Sequence, residues 1–315
     1  MSASERTNGT DIVPARRLPT RRVKAAWTCN GAVGLLHHDD MQRQNVVSRE
    51  YKVMLRPDRF SGDGSRALTI ATEFWREFAT RSGRHALGAA GAFQPAKRRR
   101  FIRFYDTDRQ ALHDASYVLR RRWSAESEID AGDGAELTLK FRHPDRYISE
   151  RRCFDPTPDG AELKFEEDIK GPFVSFYSCS TTVKTKRVPS EVRDVADLFP
   201  AVKERITTAG APQRIGPVGA VTIVETVLDG ASIQLGAHTD AECALILWHE
   251  ASRDPLTAVA AEFSYRYGDK HEDYQGERTE RAYDVFKSLQ TDLPAWVDPA
   301  LPTKTALVYG AAVDA

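Results

Sequence analysis

The fold is decided by three short segments, residues 116–123 (SYVLRRRW), 135–142 (AELTLKFR) and 163–169 (LKFEEDI). Each of them alternates bulky apolar residues with charged or hydroxyl residues. Side chains two positions apart on a strand point to the same face of a sheet. Arg120 and Arg122 therefore share one face, and Leu119 and Tyr117 point to the other. Each segment is predicted to be a strand with one apolar and one charged face.

The same alternation recurs in most segments from Val46 onward. Further strands are predicted over residues 181–188, 220–229 and 231–238, and the last two are divided by a turn at Asp229-Gly230. The charged faces contain Glu50, Lys52, Arg120, Arg122, Lys140, Arg142, Lys164, Glu166, Asp168, Lys184, Lys186, Glu262 and Arg266. One wet face of an ordinary antiparallel sheet would explain any single strand. The faces here hold both signs of charge in quantity, however, and the opposite faces are bulky enough to need cover. Predicted helices at about 66–80, 191–206 and 276–290 can supply that cover.

Closing such a sheet with its apolar face outward would gather these charges in a lumen. Buried charges are costly unless they pair with one another or meet a ligand. A polyphosphate with divalent cations meets both needs, because basic groups hold phosphate oxygens and carboxylates hold hard metals. The sequence therefore predicts an α+β, mainly β fold: an antiparallel β-barrel with a charged lumen, covered by helices, that holds a triphosphate-like polyanion.

The organisation along the chain predicts one domain. Residues 1–44 are polar and basic and are predicted to be a disordered tail. Residues 45–298 are predicted to form the tunnel domain, and residues 299–315 a C-terminal extension. Within that extension, the apolar stretch 305–313 (TALVYGAAV) is expected to be either a packed strand or a loose end.

Composition excludes several classes of function. The formal net charge is +0, so no global field draws the chain to nucleic acid or membrane, and we expect neither as a partner. The four cysteines contain no CxxC pair, which argues against a zinc ribbon and a disulfide framework and favours a reducing cytoplasm. No apolar run reaches the roughly 18–20 residues of a membrane span, and no GxxxxGK[ST] loop is present.

Competing patterns are weaker. The HxD at residues 238–240, with His249 or His271, could form an iron facial triad, but a motif this short arises by chance and a turn with a solvated histidine is the preferred interpretation. The HHDD run at residues 37–40 could bind a metal, and the basic run at residues 97–100 could contact nucleic acid. A lipocalin-like barrel would need an apolar lumen, which requires the opposite orientation of every strand.

The order of the motifs resembles the CYTH superfamily, the triphosphate tunnel metalloenzymes. The family's ExExK is read here at residues 48–52 (SREYK), its YYDT at 104–107 (FYDT) and its LRxR at 119–122 (LRRR). Its LTxK matches residues 137–140 (LTLK), and its RxExE matches residues 164–168 (KFEED) with conservative changes. Residues 184–186 (KTK) match KxR, residues 261–264 (AEFS) match an AEIE-type strand, and an amphipathic helix follows. The resemblance covers about residues 46–293.

This resemblance implies an eight-stranded antiparallel tunnel that acts on a triphosphate with Mg²⁺ or Mn²⁺. The implied phosphate-binding residues are Lys52, Arg120, Arg122, Lys140, Lys164, Lys184 and Lys186. The implied metal ligands are Glu50, Glu166, Asp168 and Glu262, with Glu50 and Glu166 as the catalytic acids. Ser48 and Ser264 stand where the family has carboxylates, so one metal site is expected to be incomplete.

Three functions stay open at this point. The first is a metal-dependent phosphohydrolase acting on inorganic triphosphate or an organic triphosphate. The second is a binder of polyphosphate or nucleotide on the same fold without catalysis, and the third is a class IV-type adenylyl cyclase. The sequence does not decide between hydrolysis, cyclisation and binding, nor does it identify the organic group or the oligomeric state.

Overall fold

The computed structural model describes residues 43–96, 98–126, 134–153, 160–203, 206, 213–253 and 256–311. In these residues the strands are β1 (Ser48–Leu55), β2 (Gly88–Gly91), β3 (Arg98–Asp106), β4 (Tyr117–Ser124), β5 (Glu136–His143), β6 (Glu162–Lys170), β7 (Val174–Lys184), β8 (Gly216–Pro217), β9 (Ile223–Gly236), β10 (Thr239–Glu250) and β11 (Ala258–Gly268). The helices are α1 (Gly64–Arg81), α2 (Ala111–Asp114), α3 (Arg146–Arg151), α4 (Val192–Leu198), α5 (Glu277–Asp292) and α6 (Lys304–Ala311).

Some sequence predictions fall outside the described residues. They include the tail over residues 1–42, the HHDD run at residues 37–40, and Lys97 of the basic run.

Nine of the described strands close into a ring. Their order is β9-β10-β11-β1-β6-β7-β5-β4-β3, and β3 pairs back with β9. Eight of the nine pairings are antiparallel, and β1 pairs with β6 in parallel. Strands β2 and β8 attach to β9 and β3. The predicted mainly β, closed architecture is confirmed, with nine strands in the ring where the resemblance implied eight.

Strand β9 replaces two strands that the sequence predicted separately. Residues 220–229 and 231–238 were expected to be divided by a turn at the Asp229-Gly230 pair. Gly230 instead has φ +102°, and the register between β9 and β10 shifts between Cys243 and Leu245. A β-bulge of this kind lets a strand bend and continue where a turn would end it. One continuous strand therefore supplies β3, β10 and β2 with hydrogen-bonding partners.

Strand β7 differs from its prediction in a way that moves two candidate site residues. The sequence predicted a strand over residues 181–188. The strand begins earlier, at Val174, because it forms a hairpin with β6, and it ends at Lys184. Lys184 is thus the last residue of β7, and Lys186 lies beyond the strand.

The apolar outer face of the ring is covered by the helices, as predicted. Helices α1 and α5 pack over β1, β9, β10 and β11, with Phe74, Phe78 and Phe286 fully buried. Helix α4 packs over β4 and β5 through Val192 and Val195. The helix predicted over 191–206 is shorter because a 3-10 turn begins at Pro200. With the apolar face outward under helices, the charged face of the ring points inward.

The C-terminal segment is a helix that closes one end of the ring, not the predicted strand or loose end. Val308 and Tyr309 of α6 are buried against Phe104 and Trp248, which point into the lumen. The Tyr309 hydroxyl donates a hydrogen bond to Asp106 Oδ2 at 3.3 Å. The helix is therefore fixed to the ring by both apolar and polar contacts.

One disulfide joins Cys153, which follows α3, to Cys179 on β7. Cys243 is buried and free. The expectation of no disulfide framework was wrong for the 153–179 pair. These residues are 26 positions apart, and the packing of α3 against β7 brings Cys153 next to Cys179.

The cover over the ring gives a stability prediction. Phe263 on β11 is fully buried and contacts the rings of Phe74 and Phe78 at centroid distances of 5.1 Å each. Phe263→Ala should lower the free energy of unfolding by about 3–5 kcal/mol, because it leaves a cavity between the sheet and α1. Chemical denaturation measures this. Phe173→Ala, at a half-exposed position, is the matched control and should cost clearly less; equal losses would contradict the assignment of this core.

Candidate functional site

The lumen of the ring is a cavity of about 520 Å³. Its basic lining residues are Lys52, Arg98, Arg100, Arg120, Arg122, Lys140, Arg142, Lys164, Lys170, Arg266 and Lys304. Its acidic lining residues are Glu50, Glu136, Glu162, Glu166, Asp168, Glu225, Glu262 and Asp298. Eleven basic against eight acidic side chains give the cavity a net positive charge, although the whole chain is neutral.

The two ends of the cavity differ. Residues between α5 and α6, including Asp298 and Leu301, line one end together with the buried Phe104 and Trp248. At the opposite end the lining side chains Glu162, Lys164 and Arg266 are exposed. The cavity is thus covered by the C-terminal segment at one end and meets solvent through charged side chains at the other.

Most of the residues that the sequence singled out line this one cavity. They are Glu50, Lys52, Arg120, Arg122, Lys140, Lys164, Glu166, Asp168 and Glu262. Strand parity brings them together, because each occupies the inward-pointing register of its strand. Lys184 and Lys186 are not among the lining residues, since β7 ends at Lys184 and that side chain is exposed.

Asp168 is the centre of a compact ion-pair cluster. Its carboxylate lies 2.7 Å from Lys52 Nζ, 2.9 Å from Lys140 Nζ and 3.4 Å from Arg142 Nε. The Ser178 hydroxyl donates a fourth contact at 3.0 Å. Burial raises the pKa of Asp168, but the surrounding cations outweigh burial and hold the pKa well below its usual value. This carboxylate is already saturated, so it is a poor candidate for a metal ligand.

Arg120 has the opposite environment. Its guanidinium lines the cavity, and its buried Nε has no hydrogen-bond partner among the described residues. Burial and repulsion by Arg122 lower the pKa of Arg120 well below its usual value. A guanidinium N–H that is buried without a hydrogen-bond partner is costly, and an anionic ligand that accepts from it removes that cost.

Glu225 is a lumen residue that the sequence did not single out. It is fully buried and accepts hydrogen bonds from Arg100 Nε at 2.6 Å and Trp248 Nε1 at 2.8 Å. Arg122 lies 3.8 Å away. Burial raises the pKa of Glu225, but the surrounding cations outweigh it and hold the pKa well below its usual value. The sequence signal that could have identified Glu225 was a single carboxylate in the mostly apolar segment of residues 222–228 (TIVETVL).

The carboxylates fit a divalent metal only in part. No group of three or more His, Cys, Asp or Glu side chains able to hold a metal occurs in the part of the chain that the structure describes. Mg²⁺ is often held by one or two carboxylates together with substrate phosphates and water. Glu50 and Glu166 fit that arrangement. Among the described residues Glu50 forms an ion pair with Lys52, at 2.9 Å, and Glu166 accepts a hydrogen bond from the Ser48 hydroxyl at 2.8 Å. Ser48, which stands where the family has a carboxylate, therefore holds the Glu166 carboxylate by a hydrogen bond.

The competing interpretations do not match the structure. His238 lies in the turn between β9 and β10, and its HxD belongs to no cluster of three potential ligands in the described residues. A lipocalin-like apolar lumen is excluded by the charged lining. The described residues contain no helix with both the length and the apolarity needed to span a membrane.

Comparisons with known proteins give a distant likeness. No protein-family model and no curated protein matches the chain. Among solved structures, the chain is similar to HpAC1 of Hippeastrum, described as an adenylyl cyclase candidate with a dominant triphosphatase activity. The two sequences are 12% identical, the TM-score is 0.41, and the match covers 84% of this chain and 96% of that one. It is also similar to an adenylate cyclase candidate of Bacillus halodurans, with 13% identity, TM-score 0.35, and coverage of 84% and 98%. These values carry no argument about activity, and the tunnel fold rests on this chain's own strand pairing.

The Asp168 cluster generates a stability prediction. Asp168→Asn would leave Lys52, Lys140 and Arg142 close together without a counter-charge. The free energy of unfolding should fall by about 3–5 kcal/mol, as when one partner of a buried ion pair is removed. Chemical denaturation at pH 7 measures the change, with the exposed Asp197→Asn as the control. If Asp168→Asn were as stable as the wild-type protein, the three surrounding cations would not need the Asp168 carboxylate as a counter-charge.

Proposed function

We propose that this tunnel, which has the closed fold expected from the resemblance to the CYTH superfamily, binds the phosphates of inorganic triphosphate or of an organic triphosphate. The excess of basic side chains in the cavity supports binding of a polyanion. The chain as a whole is neutral, so this excess is a property of the lumen alone. Electrostatic attraction is strongest where low-dielectric walls surround the charges, as they do here.

The unpaired Arg120 is the observation on which the proposal chiefly depends. A guanidinium offers a planar fork of donors that matches two phosphate oxygens. Arg120 and Arg122 lie on one strand and face the same cavity, and Lys140 on the neighbouring strand β5 lies two residues beyond Thr138, the register partner of Arg120. We assign phosphate contacts to Lys52, Arg120, Arg122, Lys140 and Lys164. Lys184 is proposed only as a contact at the exposed end, and Lys186 is not retained.

Hydrolysis of the bound triphosphate is the activity that we propose for this site. Glu50 and Glu166 are the proposed catalytic acids, because they line the cavity and are not saturated by cations. Their carboxylates would hold Mg²⁺ or Mn²⁺ jointly with the phosphates and orient the attacking water. A metal bound there would supply charge neutralisation and a lowered pKa for a bound water. The arginines would stabilise charge on the transferred phosphoryl group.

Two alternatives use the same cavity. A binder without catalysis is favoured by the incomplete acid set at Ser48 and Ser264 and by the saturation of Asp168. A class IV-type adenylyl cyclase would instead release pyrophosphate and a cyclic nucleotide from ATP. The products formed therefore distinguish the three functions.

Binding is tested first with tripolyphosphate as the probe. Arg120→Ala should weaken its affinity by roughly 10–100-fold, the usual effect of losing a charged hydrogen bond. Isothermal titration calorimetry at fixed salt measures this, with Arg193→Ala on the outer helix α4 as the control. Equal affinity of the wild-type protein and Arg120→Ala would contradict binding in the lumen.

Turnover is tested with tripolyphosphate, ATP and thiamine triphosphate in Mg²⁺ or Mn²⁺. Phosphate release should fall by about 100-fold or more in Glu166→Gln and Glu50→Gln, the scale expected for groups that position and activate water. The exposed Glu242→Gln is the matched control. Binding without any release would rule out the hydrolase and leave the binder, whereas cyclic AMP with pyrophosphate would identify the cyclase.

The lowered pKa of one lysine in the lumen predicts that tripolyphosphate affinity depends on pH. Burial and repulsion by Arg142 and Lys52 lower the pKa of Lys140 to about 8, against the attraction of Asp168. Lys140 is therefore charged below this pH and loses its charge as pH rises through it, so tripolyphosphate affinity should fall by up to about tenfold per pH unit above 8. Lys140→Arg, which stays charged, should lose less affinity between pH 7 and pH 9 under identical conditions. Parallel profiles for the two proteins would show that Lys140 does not contribute.

A further inference from the structure

The amino group of Lys304 enters the lumen from the C-terminal helix. Lys304 Nζ lies 3.0 Å from Glu262 Oε1 and 4.0 Å from Glu225 Oε2. The same group lies 5.3 Å from the centre of the Trp248 ring. Both carboxylates are almost fully buried, and the Lys304 side chain is 15% exposed. An ammonium group thus stands between two buried acids at the covered end of the cavity.

The position of this ammonium group is fixed by its helix. Thr303 precedes α6, and its side-chain and main-chain oxygens accept hydrogen bonds from the backbone N–H groups of Ala306 and Leu307. Val308 and Tyr309 anchor the helix against the inner surface of the ring. Lys304 is therefore held at the first turn of a docked helix. A lysine on a free surface would instead sample many rotamers.

Glu262 and Glu225, the two carboxylates beside Lys304, share its ammonium group, and among the described residues no third acid completes a metal-binding group with them. Ser264 occupies the next inward-pointing position of β11 after Glu262, and it is buried. Glu225 is already bound by Arg100 and Trp248. Glu262 is therefore neutralised by one protein cation, in a place where an added divalent ion would otherwise be the natural partner.

We infer that Lys304 acts as a tethered cation that takes the place of a divalent metal at Glu262. This inference rests on the proposed function, because it describes how the covered end of the same lumen meets phosphate. A phosphate at that end would contact an ammonium group supplied by the chain. Polyanion binding then needs no added metal there, while any metal required for turnover belongs at Glu50 and Glu166.

The first experiment measures Mn²⁺ bound to the protein without any phosphate ligand, by electron paramagnetic resonance of free Mn²⁺. Lys304→Met should gain a Mn²⁺ site at least about tenfold tighter than any in the wild-type protein, since Glu262 loses its counter-charge. Lys304→Arg keeps the charge and should gain none. The double variant Lys304→Met, Glu262→Gln should lose the gained site. Identical Mn²⁺ binding by the wild-type protein and folded Lys304→Met would overturn the inference.

The second experiment needs only the wild-type protein and remains decisive if Lys304→Met fails to fold. Tripolyphosphate should bind in the presence of EDTA, as measured by calorimetry. Binding that appears only when Mg²⁺ is added would overturn the inference and leave the proposed function standing. No binding under either condition would overturn the proposed function, and the Mn²⁺ measurement would still test the role of Lys304 separately.

Discussion

Charge enclosed on the inner surface of a closed sheet is the constraint on which the rest of this structure depends. Nineteen ionisable side chains face one cavity, and each must be balanced by a partner, by water or by a ligand. Asp168 is balanced by three cations and Glu225 by Arg100 and its neighbours. The Nε atoms of Arg120, Arg122 and Arg142 all lack hydrogen-bond partners in the described residues, but Arg122 and Arg142 lie beside Glu225 and Asp168, whereas Arg120 has no ion pair there. The outer helices follow from the same constraint, since charge inside leaves the apolar face outside.

The acids of the lumen divide into two groups with different chemistry. Asp168, Glu225 and Glu262 are committed to cations of the chain itself, and their proposed role is to hold those cations in place. Glu50 and Glu166 are less committed: among the described residues Glu50 forms an ion pair with Lys52, and Glu166 accepts a hydrogen bond from the Ser48 hydroxyl. In the function that we propose, binding of a polyanion uses the first group indirectly, whereas hydrolysis depends on the second. Under this proposal, serine instead of a carboxylate at Ser48 and Ser264 should affect turnover more than binding.

Strand parity alone predicted most of the wall of the cavity. Arg120, Lys140 and Glu166 could be assigned to one lumen because a two-residue period places charged positions on one face of each strand. Parity failed where an element boundary was wrong. The sequence pattern predicts Lys186 on a strand that ends at Lys184, and it predicts a turn where β9 bends and continues through Gly230. Local sequence does not reveal where a hairpin partner stops or whether a glycine bends a strand or ends it.

The covered end of the lumen could not be predicted, because it depends on contacts between distant parts of the chain. Lys304 and Glu262 are brought together by the docking of α6 through Val308 and Tyr309. The most direct test of the account is a crystal structure of the protein with tripolyphosphate. It should show the phosphates inside the ring, within hydrogen-bond distance of the Arg120 guanidinium. Phosphates bound only on the outer surface, with the lumen holding water alone, would contradict the account.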